Sequence, residues 1–109
     1  VIINKMILKD VKEMLGITNE IIDFDSTLIN IINTVIFTLY QIDEKSKSPI
    51  VIDETSDWSL YKGQDLNNFK TLVYLKTRLI FDPPTNSRIL DSINSIISEL
   101  EWRFQAEVI

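Results

Sequence analysis

Asp53, Glu54 and Asp57 come nearest to chemistry in this sequence, because three carboxylates so close together are the ligand type a hard cation takes. They lack the alternating ligand pattern and central glycine of an EF-hand loop. Glu99 and Glu101 are a second close pair, but two positions apart on a helix places them on different faces, which rules out joint acid–base work. Ser46-Lys47 lies in a polar run with no base or oxyanion donors in its context. Histidine and cysteine are both absent, which removes the usual general base, the commonest zinc ligand and the thiolate nucleophile. With two glycines in the whole chain there is no glycine-rich phosphate loop. The expectation is a protein that is not an enzyme and uses no cofactor or metal.

The chain is 109 residues long, which predicts a single domain over 1–109 able to bury roughly 60–70% of its unfolded surface. A net charge of −5 argues against gripping a phosphate backbone, which needs clustered Lys and Arg. The longest apolar-rich stretch, Leu28 to Tyr40, is interrupted by Asn30, Asn33, Thr34 and Thr38 and is too short for a bilayer. With no signal-peptide pattern either, a soluble intracellular protein is the plain reading.

Hydrophobic periodicity predicts an all-α fold of about four helices. Leu8 to Leu15 places Leu8, Val11, Met14 and Leu15 on one face, and Gly16 follows as a stop. A second helix runs roughly from Ser26 to Ile42, capped by Asp23 or Asp25, with a wide stripe through Leu28, Ile32, Val35 and Leu39. Residues 43–65 read as a long loop, with Ile50-Val51-Ile52 a candidate short strand. A third helix, Leu66 to Phe81, turns Leu66, Phe69, Leu72, Val73, Leu79 and Ile80 inward and stops at Pro83-Pro84. Thr85, Asn86 or Ser87 then caps a long fourth helix reaching about Glu107, with Ile89, Ile93, Ile96, Ile97, Leu100 and Phe104 inward. Val1 to Met6 reads as an extended arm or a cloning remnant.

Three side chains do not fit this scheme. At 100° per residue Trp102 falls about opposite the centre of the fourth helix's apolar stripe, beside Ser98 and Glu99. Phe37 lies in a similar outlying position on the second helix, among Asn30, Asn33, Thr34 and Gln41. Either the long loop folds over one of them, or they anchor a subunit interface, where aromatics are enriched. Lys76 falls near the middle of the third helix's apolar face. It either snorkels past Leu72 and Leu79, the preferred reading, or meets a carboxylate of this chain or a neighbour. Residues 66–81 carry +3 and no acid, leaving −8 elsewhere. An acidic 43–65 loop and a basic helix could attract each other between copies, although such charge runs are more often simply solvated.

The opening run from Met6 to Ile17, Met-Ile-Leu-Lys-Asp-Val-Lys-Glu-Met-Leu-Gly-Ile, followed by an acidic stretch and a long apolar helix, resembles the start of tailed-phage head–tail connector proteins. The segment from Leu72 to Pro84, ending Ile-Phe-Asp-Pro-Pro, and the helix after it resemble the same group. The resemblance covers nearly the whole chain in order and helix content, and it carries no catalytic motif to match. It implies a head-completion or adaptor subunit that assembles with itself as a ring, about a dozen copies, between portal protein and a tail-side connector or stopper. DNA would pass through such a ring without sequence-specific binding, no membrane is involved, and the location is the virion, after assembly in the host cytoplasm. In that scheme Phe37, Trp58, Tyr61, Lys76 and Trp102 are the candidate interface residues, with the 43–65 loop and one terminus reaching portal or tail.

The expected function is therefore a structural virion protein that joins head to tail and extends the DNA channel. The alternative class is an acidic helical interaction or regulatory module, such as a DNA mimic. A mimic would line up carboxylates on one face at phosphate-like spacing, whereas here the acids are scattered along the chain.

Overall fold

A computed structural model describes residues 6–41, 51–61 and 66–108 of the chain, with side chains omitted at 41 and 105–108. The arm at 1–5, the Lys/Ser run at 45–48 and the first residue of the candidate strand lie outside the described residues. The described residues form four α-helices: α1 (Ile7–Leu15), α2 (Asp25–Gln41), α3 (Leu66–Phe81) and α4 (Ser87–Val108). One turn of 3-10 helix, Trp58–Tyr61, lies between α2 and α3. The all-α expectation holds, with no strand among the described residues.

Local chemistry sets each boundary. Gly16 ends α1 at φ 82°, and the amides of Gly16 and Ile17 turn back to the carbonyls of Glu13 and Lys12. This left-handed closure is one that a Cβ would strain. Asn86 caps α4, its Oδ1 accepting from the amides of Arg88 and Ile89 at 2.9 and 3.3 Å. Asp25 is the first residue of α2, and its carboxylate reaches Lys12.

α2 and α3 run antiparallel. Phe24, just before α2, meets Phe81 at the end of α3 edge-to-face, with centroids 5.5 Å apart. At the other end of this pair the aromatic rings of Tyr40, Tyr61, Phe69 and Phe104 form one cluster, Tyr61 and Phe69 lying 4.7 Å apart and Tyr40 and Phe104 6.0 Å. Edge-to-face and offset contacts of this kind add to area burial. α3 is thus the central helix, with α2 on one side, α4 returning antiparallel on the other, and α1 across the α2–α3 pair through Ile7 and Val11.

The candidate strand does not form. Val51 and Ile52 belong to no strand, and the partner of Ile52 is a side chain: its N–H donates to Asn33 Oδ1 at 2.8 Å, and its C=O accepts from Asn33 Nδ2 at 3.1 Å. One amide satisfies both backbone groups that a neighbouring strand would otherwise serve.

The inward stripes are narrower than periodicity implied. Ile93, Ile97 and Phe104 of α4 are buried, but Ile89 and Ile96 are nearly half exposed, and Ile80 at the end of α3 is 57% exposed. α4 has a covering partner on only part of its apolar arc, so the shoulder carrying Ile89 and Ile96 stays in solvent. Ile80 borders a groove lined by residues of α2 and α4.

Candidate assembly interface

The five residues singled out as interface candidates separate into three environments. Trp102 is 70% exposed and Phe37 49% exposed, each on a helix whose opposite side is packed. Among the described residues nothing of the long loop lies over them.

Trp58 and Tyr61 are inside the subunit, at 0% and 3% exposure, and offer a neighbour almost no surface. This corrects the expectation of loop aromatics at a contact. The turn of 3-10 helix places Tyr61 in the aromatic cluster and Trp58 between that cluster and α1, Trp58 standing edge-to-face on Phe69 at 6.1 Å. Its indole N–H donates to Asp10 Oδ2 of α1 at 2.9 Å, and Lys70 of α3 stands 5.5 Å above the ring and 3.9 Å from the same carboxylate. Burial pushes the Tyr61 phenol up to about 12, with nearby Tyr40 adding to the effect.

Lys76 meets a carboxylate of its own chain, Glu101 of α4, at 3.5 Å, in place of the preferred snorkelling. The third helix is therefore less available as a basic face than its +3 charge implied: Lys70 and Lys76 are both engaged within the subunit. Glu99 pairs instead with Arg103 at 2.9 Å, so Glu99 and Glu101 do point to different faces.

Lys76 also borders a groove of about 370 Å³. Val35 and Thr38 of α2 form one wall, Asn94 and Ile97 of α4 the other, and Lys76 and Ile80 of α3 the floor.

A buried ion pair was not anticipated. Lys12, 3% exposed on the packed face of α1, donates to the Ile21 carbonyl at 2.6 Å and pairs with Asp25 at 2.8 Å. The signal was present: a lysine one turn beyond Leu8, followed by an acidic stretch. The carboxylates of the 53–57 segment serve the loop itself. Asp53 Oδ1 accepts from Thr55 and Ser56, and those bonds hold its carboxyl below the usual range. Asp57 accepts from Ser59. Among the described residues no group of three His, Cys, Asp or Glu is placed to hold a metal. None of the helices, over those residues, is long and apolar enough to cross a membrane.

Four cations of this all-α chain, Lys12, Lys70, Lys76 and Arg103, meet carboxylates of the same chain, while Phe37 and Trp102 remain exposed on outer helix faces. The chain belongs to the phage connector protein family, whose model matches residues 7–108. That family is structural, and membership makes this a phage structural protein that works beside other virion proteins. Searches of curated proteins and of solved structures each gave no match.

Proposed function

We propose that this chain is the subunit of a ring beneath the portal, joining the phage head to the tail and extending the channel through which DNA leaves. Trp102 carries the reading: an indole 70% exposed on a connector-family helix whose core side is already packed. Large aromatics in that position are enriched where subunits meet. Phe37 on α2 gives a second such point. The charge distribution is compatible with a conduit, since Lys12, Lys70, Lys76 and Arg103 each face a carboxylate of the same chain. Cations occupied in this way, together with a negative net charge, weaken any hold on phosphate. The partners in this reading are further copies of the chain, the portal protein on one side and a tail-side connector or stopper on the other. The assembled location is the virion neck.

The test is the mass of the purified protein in analytical ultracentrifugation with and without portal protein, paired with negative-stain imaging. Rings, alone or on the portal, are the expected result. A protein that stays monomeric and never associates with portal overturns the reading.

A further inference from the structure

We propose that the groove between α2 and α4 receives Trp102 of a second copy of this chain. The inference rests on the ring-subunit reading above and names the two surfaces that form the contact.

The groove results from a stripe on α3 that changes its cover along its length. Phe69, Val73, Lys76 and Ile80 follow one another at three- and four-residue steps on one face. At the start of the stripe Tyr61 and Phe104 close over Phe69. Toward its end Ile80, flanked by residues of α2 and α4, is left 57% exposed on the floor. The opening is about 370 Å³ with walls from Val35 and Ile97, which suits one flat apolar side chain. Trp102 is the most exposed aromatic side chain on the described helices, and burying it removes about 200 Å² from water.

It cannot enter its own groove. The residues of α4 that face the opening are Asn94 and Ile97. At 100° per residue Trp102 points about 110° away from their mean direction. Donor and acceptor surfaces are therefore different patches of one subunit. Such a contact can repeat head-to-tail, and when its rotation closes it generates a ring.

Charge supplies the register. Beside Trp102, Glu99 and Arg103 form an ion pair with both side chains more than half exposed. At the groove, Lys76 and Glu101 form a second pair. With the indole seated, Glu99 can turn to the neighbour's Lys76 and Arg103 to its Glu101, two opposite-sign matches around one apolar anchor. The Lys76 ammonium also stands where it can face the ring.

The chain contains no cysteine, so introduced thiols report only on the chosen positions. Trp102→Cys and Asn94→Cys proteins are mixed at a concentration well above the tenfold-raised assembly threshold expected on loss of the indole, and are then oxidised. A mixed disulfide dimer is expected in at least tenfold excess over a control pairing Asp91→Cys with Asn94→Cys. Asp91 shares Trp102's outer side of α4 but lies about 16 Å away along its axis. Separately, Trp102→Ala and Ile80→Glu, each with unchanged circular dichroism and melting temperature, are expected to raise the concentration needed for assembly at least tenfold. Rings that form without the 94–102 cross-link and tolerate Trp102→Ala overturn the groove assignment and leave the ring reading standing. A wild-type protein that remains monomeric with portal present removes both.

Discussion

The Trp58 indole N–H donates to Asp10 Oδ2 at 2.9 Å, joining residues 48 positions apart and fastening α1 to the segment before α3. The ring is fully buried, and the carboxylate also faces Lys70. Replacing Asp10 with Ala leaves a buried N–H without an acceptor, at a cost of about 1–3 kcal/mol. Asp10→Asn retains an acceptor oxygen and is expected to cost less. Urea denaturation of both variants gives the comparison; equal losses would show that the hydrogen bond is not what matters.

Lys12 and Asp25 form the buried pair between α1 and the start of α2. Lys12→Ala strands a largely buried carboxylate and is expected to destabilise the fold by about 3 kcal/mol, the low end for such pairs because Asp25 is 20% exposed. The double variant Lys12→Met, Asp25→Asn should recover most of the loss. Thermal unfolding of the single and double variants measures the difference.

The two tryptophans have opposite environments, which fluorescence separates. Trp58→Phe leaves only Trp102, whose emission in the dilute, unassembled protein is expected to be red-shifted and readily quenched by acrylamide. Trp102→Phe leaves the buried Trp58, expected to be blue-shifted and protected. Trp102→Ala should change subunit stability by no more than about 0.5 kcal/mol, against about 3–5 kcal/mol for Trp58→Ala.

Asn33 serves both backbone groups of Ile52. Asn33→Ala removes both bonds and is expected to cost about 1–2 kcal/mol and to speed hydrogen exchange at the Ile52 amide. Asn33→Asp keeps an acceptor for the amide while losing the donor, so its exchange rate should stay near wild type. Identical exchange in the Ala and Asp variants would contradict the assignment.

Tyr61 has a defined alkaline signature. Its folded pKa, raised to about 12, exceeds the ordinary tyrosine value of 10.0, so above pH 10 the unfolded chain loses this proton first. The folded state then holds more protons, and stability falls as pH rises. The contribution is complete below about pH 10 and lost through about pH 12, amounting to about 2–3 kcal/mol. Tyr61→Phe should flatten the stability profile over that window, as measured by denaturation at a series of alkaline pH values.

The legible parts of this protein were those governed by near neighbours in sequence. The limits of α3, the Gly16 stop and the Asn86 cap follow from periodicity and from residues within one turn. The outward aim of Trp102 and Phe37 follows from angular position alone, and the structure has both exposed. What sequence pattern missed depends on distant partners. Trp58 and Tyr61 belong to a segment with no period, and their burial is decided by Asp10 and by Phe69. Lys76 finds Glu101 only because α4 returns along α3. Ile80, Ile89 and Ile96 have the right spacing for the interior, but a wheel reports direction and not whether a second helix is present to cover it.

The short Asp-Pro-Pro turn has a consequence for the order in which the chain acquires its shape. Only five residues, 82–86, separate α3 from α4, whereas 24 residues, 42–65, separate α2 from α3. Closing the longer connection costs about 1.4 kcal/mol more in chain entropy. The α3–α4 hairpin is therefore the earlier nucleus, and α2 joins it afterwards. α1 is held to the start of α2 by the Lys12–Asp25 pair across the short 16–24 connection, so it arrives with α2, and its bond to Trp58 closes once the long connection is in place.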